Sequence, residues 1–183
     1  IAGPWRLPVS MDPNLIRYAL TSLHSAGTIL GRREIIVRYK GFYENRCLYG
    51  EDLYLWLQIL FNHWIYRELK PLMIYHVDAS SLSRKPGIAL MPIHTDWSSL
   101  FENCSDDYAN LLRRFLCRYA LSISHDAINV GALDNAYYLM DTFPQMREWH
   151  IEYTKLRIKL AYPGLIPIVR FIKNWIKTIV HKK

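Results

Sequence analysis

Cysteine is scarce in this chain of 183 residues: only Cys47, Cys104 and Cys117 occur, an odd number set far apart. They form no CxxC pair and no disulfide framework, which points to reduced thiols in the cytoplasm. No run approaches ~20 uninterrupted apolar residues, so no plain membrane-spanning helix is written into the sequence. The opening residues carry no signal-peptide pattern, and there is no internal repeat or low-complexity tract. Acids are missing from one end. None follows Glu152, whereas Lys155, Arg157, Lys159, Arg170, Lys173, Lys177, Lys182 and Lys183 do. The net charge of +7 is concentrated there, and a basic end of this kind points to an anionic surface, membrane or nucleic acid.

What is present suffices for a core. Hydrophobic residues make up 51% and charged residues 21%, a balance that folds, and the length suits one domain or a domain and a half. The opening IAGPWRLPVSMDP reads as irregular chain because of its three prolines. PNLIRYALTSLHS follows as a predicted helix, with Asp12 as cap and Pro13 in the first position. A strand or loop over 26–30 precedes a short helix near 32–39 that Gly41 stops. The run from 51 to about 66 is apolar nearly all round, the mark of a buried helix, which places Trp56 and Trp64 in the core. Within it Glu51, Gln58 and Asn62 share one polar stripe, whereas Asp52 lies in line with Trp56, Ile59 and His63. ELKPLMIYHV reads as a strand and DASSLSRKPG as a polar loop. From about 94 to 161 the pattern is helical, clearest over 106–122 and 134–141, with Asp106 and Asp107 capping a helix start. After a Pro-Gly break, Ile168, Ile172, Trp175, Ile176 and Ile179 fall on one face, and Arg170, Lys173 and Lys177 on another.

Three stretches over residues 25–84, SAGTILGRREII, KGFYENRCLYGEDLYLWLQI and PLMIYHVDASSLSR, resemble in that order the acceptor-side half of family-2 glycosyltransferases. They are similar to the family's small-residue segment before an Arg-Arg-Glu helix start. They are similar, too, to its Gly-Phe and Gly-Glu-Asp ahead of a Leu-Trp-Leu helix, and to its strand with a following Ser-rich loop. They cover about sixty of the 183 residues. The resemblance implies an α/β fold of the GT-A type, present as its C-terminal part over 1–86. A mainly helical extension over 87–164 and a basic amphipathic helix over 165–183 would follow. It also implies transfer of a sugar, with inversion, from a nucleotide-sugar donor to a hydroxyl of a glycan or lipid-linked acceptor, in cell-surface polysaccharide synthesis. The acceptor hydroxyl needs a carboxylate within hydrogen-bond reach. The resemblance assigns that role to Asp52, and to Glu51 positioning of the acceptor or bracing of the turn. The leaving diphosphate needs a divalent cation, Mn²⁺ or Mg²⁺, or fixed positive groups. His76 is implied as a metal ligand or substrate contact, and Ser81, Ser83 and Arg84 as contacts to the donor diphosphate. Arg33, beside Arg32, would steer an anionic donor or lipid-linked acceptor. The chain departs from the family at one point: many members carry Arg where His76 stands and His where this chain has Asp78.

Each of these residues also has an ordinary reading. Acids at a helix start satisfy free N–H groups and suit the positive end of the dipole, although its apolar line sets Asp52 apart from Glu51. Serine clusters form turns, arginines suit a solvated surface, and His76 suits a hydrogen bond at a strand end. The donor half of a GT-A domain holds an Asp-x-Asp motif, and none occurs here. With Ile as first residue, the expectation is the C-terminal part of a longer enzyme, inactive by itself. Its expected location is cytoplasmic, with peripheral contact to the inner face of the cytoplasmic membrane through 165–183. Nucleic acid is not an expected partner, because the basic excess lies at one end without a recognised motif. The rival reading is a non-enzymatic helical module that binds an anionic partner, membrane surface or nucleic acid.

Overall fold

Asp12 and Pro13 start the first helix as their residue types require. The Asp12 carboxylate accepts the Asn14 N–H at 2.7 Å, satisfying a donor that the helix itself cannot, and Pro13 loses nothing by lacking an N–H there. The computed structural model describes residues 3–21, 29–45, 47–68 and 89–162. Their elements are β1 (Gly3–Trp5), α1 (Pro13–Thr21), α2 (Arg33–Arg38), α3 (Glu51–Asn62), β2 (Ile65–Arg67), α4 (Pro92–Thr95) and α5 (Ser99–Glu102). Then come α6 (Asp106–Asn129), α7 (Leu133–Thr142), a 3₁₀ turn (Pro144–Glu148) and α8 (His150–Ala161). The described residues are mostly helical, with one two-stranded antiparallel sheet. Of the strand expected over ELKPLMIYHV, residues 69–77 lie outside them, as does the tail 163–183.

Two expectations near α3 are corrected. The helix ends at Asn62, four residues early, because His63 turns extended and Ile65, a β-branched residue, leads into β2. Gly3 pairs with Arg67, Pro4 with Tyr66 and Trp5 with Ile65, so three residues of the opening segment form a strand while 6–12 are irregular, as the prolines suggest. Pro4 is tolerated because this is an edge ribbon. Trp64 consequently leaves the helix and stands 69% exposed; it is not a core residue. The rest of α3 matches its pattern, with Leu53 to Gln58, Leu60 and Phe61 all buried.

Helix α2 stops in a tight C-terminal turn whose bonds run from the Gly41 N–H to Ile36 O at 2.9 Å and from the Lys40 N–H to Val37 O at 3.0 Å. The left-handed conformation falls on Lys40 (φ 62) as well as Gly41 (φ 75), and an L residue with a Cβ is strained there. Lys40→Gly is therefore expected to raise unfolding free energy by about 1 kcal/mol in urea denaturation; a loss would contradict the strain. Helix α6 ends in the same hydrogen-bonded motif, with Gly131 (φ 83) in the left-handed position.

Helix α6, 24 residues long and thus about 36 Å, is the spine. It runs seven residues past the predicted 122, carried on by the buried Ile123, Ser124, Ala127 and Ile128. Helices α1, α7 and α8 and the 3₁₀ turn pack on it. Arg118 Nε reaches Asn14 Oδ1 of α1 at 2.6 Å. The Tyr108 hydroxyl donates to Leu7 O at 2.5 Å, and Phe61 of α3 meets Tyr108 and Phe115 at ring distances of 6.1 and 6.5 Å. Buried residues on both sides of position 86 thus belong to one hydrophobic cluster. Asp106 and Asp107 stand exposed in the first turn of α6, and Ser105 makes no side-chain cap. The two acids meet the dipole there.

Candidate functional site

The start of α3 is built around a glycine. Gly50 caps the helix with φ 91 and ψ 12, a left-handed conformation that any side chain would strain. It is also covered by Met91, whose Cγ would lie 2.8 Å from an added Cβ. The chain can enter α3 at this angle only with glycine at 50. Glu51 and Asp52 then occupy the first turn, where the N-terminal amides and the helix dipole favour negative charge. The two acids part company as their spacing suggests. Glu51 is exposed and Asp52 is half-buried. Asp52 Oδ1 accepts the Leu53 N–H at 2.7 Å, and the residue has a further interaction within the fold.

Residues 41–45 and 47–49 fold over this end of the helix. The Tyr43 N–H reaches Glu51 O at 3.4 Å, Tyr43 packs on Tyr54 at a ring distance of 4.9 Å, and Phe42 stands edge-on to Trp56 at 5.8 Å. Tyr49 donates its hydroxyl to Ala89 O at 2.8 Å, tying this loop to the segment ahead of α4. Cys47 lies beside the acids, its thiol pushed up by burial first and by the Glu51 charge second. Trp56 is buried as expected, with no hydrogen-bond partner for its indole N–H among the described residues. The polar stripe turns from water along its length: Glu51 is exposed, Asn62 half-buried and Gln58 buried. Gln58 Oε1 accepts from Asn103 Nδ2 at 3.4 Å, so the stripe forms a seam to the end of α5.

The other expected site residues are not brought to this place within the described chain. Arg33 is the first residue of α2 and exposed, next to exposed Arg32. His76, Ser81, Ser83 and Arg84 lie outside the described residues. Among the described residues no group of three His, Cys, Asp or Glu side chains is placed to hold a metal ion. None of their helices is long and apolar enough to cross a membrane.

Several chemically notable groups give little sign of themselves in the sequence. The Tyr54 hydroxyl donates to Asp96 O and Oδ2 at 3.3 and 3.4 Å, while Ser99 holds Asp96 Oδ1. Burial, and then the Asp96 charge, push the Tyr54 phenol well above its usual range, so it is a hydrogen-bond donor and not a base. Burial pushes the thiols of Cys104 and Cys117 up to about 11, which leaves them protonated and poorly nucleophilic at neutral pH.

His94 is fully buried in α4, stacked on Tyr119 and edge-on to Phe143. Its Nδ1 accepts the Met91 N–H at 3.3 Å, so the proton sits on Nε2, which finds no partner among the described residues. Burial holds this imidazole down to about 3. An unfolded chain takes up the proton below about pH 6.5 and the folded chain does not, so stability falls as pH drops from that value toward 3. The slope approaches about 1.4 kcal/mol per pH unit, and His63 and His125, also lowered by burial, act in the same direction. The urea midpoint is expected to drop between pH 7 and 5, and His94→Phe to flatten that dependence whatever its stability at pH 7. An unchanged pH slope in the variant would remove His94 as the source.

Comparison with protein-family models, curated proteins and solved structures finds no significant match for this chain.

Proposed function

We propose that this chain is the acceptor-side part of an inverting glycosyltransferase, which moves a sugar from a nucleotide-sugar donor to a hydroxyl of a glycan or lipid-linked acceptor. The observation that carries the reading is the acidic pair in the first turn of α3, divided into an exposed Glu51 and a half-buried Asp52. It adds to the likeness of residues 25–84 to family-2 glycosyltransferases. In this role Asp52 takes the proton of the acceptor hydroxyl while that oxygen attacks the anomeric carbon, and the nucleoside diphosphate departs. The Leu53 N–H holds Asp52 Oδ1 at 2.7 Å in the first turn of α3, and the other carboxylate oxygen, Oδ2, meets the hydroxyl in this role. Glu51 positions acceptor hydroxyls at the rim.

A divalent cation, Mn²⁺ or Mg²⁺, would offset charge on the leaving diphosphate when bound; the described residues bring no ligand set to it. A GT-A-type α/β fold for the catalytic part, a cytoplasmic location and peripheral membrane contact through 165–183 belong to the same proposal. The test is acceptor-dependent release of nucleoside diphosphate by the complete enzyme across a panel of nucleotide-sugars. Absence of release with every donor and acceptor pair would sink the reading.

A second reading, a non-enzymatic helical module with an anionic partner, draws support from the helical build of residues 89–162 and the acid-free stretch after Glu152. It calls for binding to anionic vesicles or nucleic acid without any nucleotide release.

A further inference from the structure

On the far side of α6 a cleft of about 140 Å³ opens between that helix and the 3₁₀ turn. It is lined by Arg113 and Arg114 of α6 and by Trp149, the residue that leads into α8. Asn110 and Gln145 add side-chain amides, and Glu148 a single carboxylate. Cys117, at the base, points its thiol to Gln145 Oε1 at 3.7 Å, a contact that leaves the Gln145 NH₂ as a donor. Arg113 lies 5.9 Å from the Phe101 ring centre, which limits the freedom of its guanidinium. Among the described residues that line the cleft, Arg113 and Arg114 carry positive charge and Glu148 carries the one carboxylate.

We propose that this cleft binds an acidic sugar, one ring of a saccharide that carries a carboxylate. A guanidinium recognises a carboxylate through charge-assisted, bidentate hydrogen bonds, and two arginines line this cleft. The half-buried Trp149 offers an apolar wall for the ring. Asn110, the Gln145 NH₂ and Glu148 supply the donors and the acceptor that ring hydroxyls need. The volume is below the ~300–1,000 Å³ of sites that enclose drug-sized ligands, which suits one sugar ring better than a nucleotide. The assignment rests on α6, the 3₁₀ turn and Trp149 alone. It stands whether or not Asp52 acts as a base, and under the proposed transferase it would be a second contact for an acidic glycan.

The experiment is isothermal titration of the full chain with a hexuronate oligosaccharide, a neutral glucose oligosaccharide of equal length, and inorganic phosphate. Saturable binding of the hexuronate is expected, at least about tenfold tighter than the neutral chain. The Arg113→Gln/Arg114→Gln double variant, checked for unchanged thermal unfolding, is expected to lose about tenfold or more in affinity. Arg157→Gln, an exposed arginine of α8 that does not line the cleft, is expected to leave the affinity unchanged. Three results would each overturn the proposal: no saturable hexuronate binding, equal binding of the neutral chain, or an unaffected double variant with native unfolding. Phosphate that binds as tightly as the hexuronate would show a bare anion site, and would overturn it too. Loss of nucleotide release after Asp52→Asn with hexuronate binding intact would separate the two sites.

Discussion

Asp52→Asn is expected to lower sugar transfer by about 10²–10⁴-fold, the usual contribution of a general base, with the loss in kcat. The substitution discriminates between the two uses of an acid at a helix start. Asn is itself among the best residues for that place, and its side-chain oxygen can still accept the Leu53 N–H that Asp52 accepts at 2.7 Å. If Asp52 serves only the helix end, Asn preserves both stability and rate. If it takes the acceptor proton, Asn preserves stability and abolishes the reaction. Glu51→Gln, at an exposed position, should change kcat far less and act mainly on KM. Acceptor-dependent release of nucleoside diphosphate measures both variants, and near-normal turnover by Asp52→Asn would remove it as the base.

The largest stability loss is expected at Gly50. Gly50→Ala places an L side chain at φ 91, which costs about 1–2 kcal/mol, and drives its Cβ to within 2.8 Å of Met91 Cγ and 3.0 Å of Met91 Sδ. Relieving that overlap costs about 1–3 kcal/mol more, so a total of about 2–5 kcal/mol should appear in urea denaturation. Met91 is flexible and buried, so the two terms can be separated. In a Met91→Ala background the crowding disappears and the backbone term alone, about 1–2 kcal/mol, should remain. A Gly50→Ala loss below about 1 kcal/mol would show that the helix enters at another angle. Since the same turn aims Glu51 and Asp52, the variant that survives folding should also transfer sugar more slowly.

These two positions mark how far the sequence could be read. The acids at 51 and 52, their division between water and partial burial, and the all-round burial of α3 follow from spacing along a helix, a local property. So do the Asp12–Pro13 start of α1, and the helical run from 94 to 161. What spacing could not supply is contact between distant segments. Trp64 was expected inside because the apolar run continues past Asn62. Pairing of Ile65–Arg67 with Gly3–Trp5 ends the helix and turns that ring outward. Gln58, polar by type, is buried and bonded by Asn103, 45 residues later.

The sequence by itself determined where the main helices run and which acid of the pair leans toward the core, because capping and 3.6-residue periodicity act within a few residues. Only the tertiary structure decided that Met91 closes over Gly50, that His94 is buried as a neutral imidazole, and that Arg113, Arg114 and Trp149 share a cleft. Those outcomes depend on which remote side chains meet. Burial, strain and charge are set by such meetings, not by the order of residues along the chain.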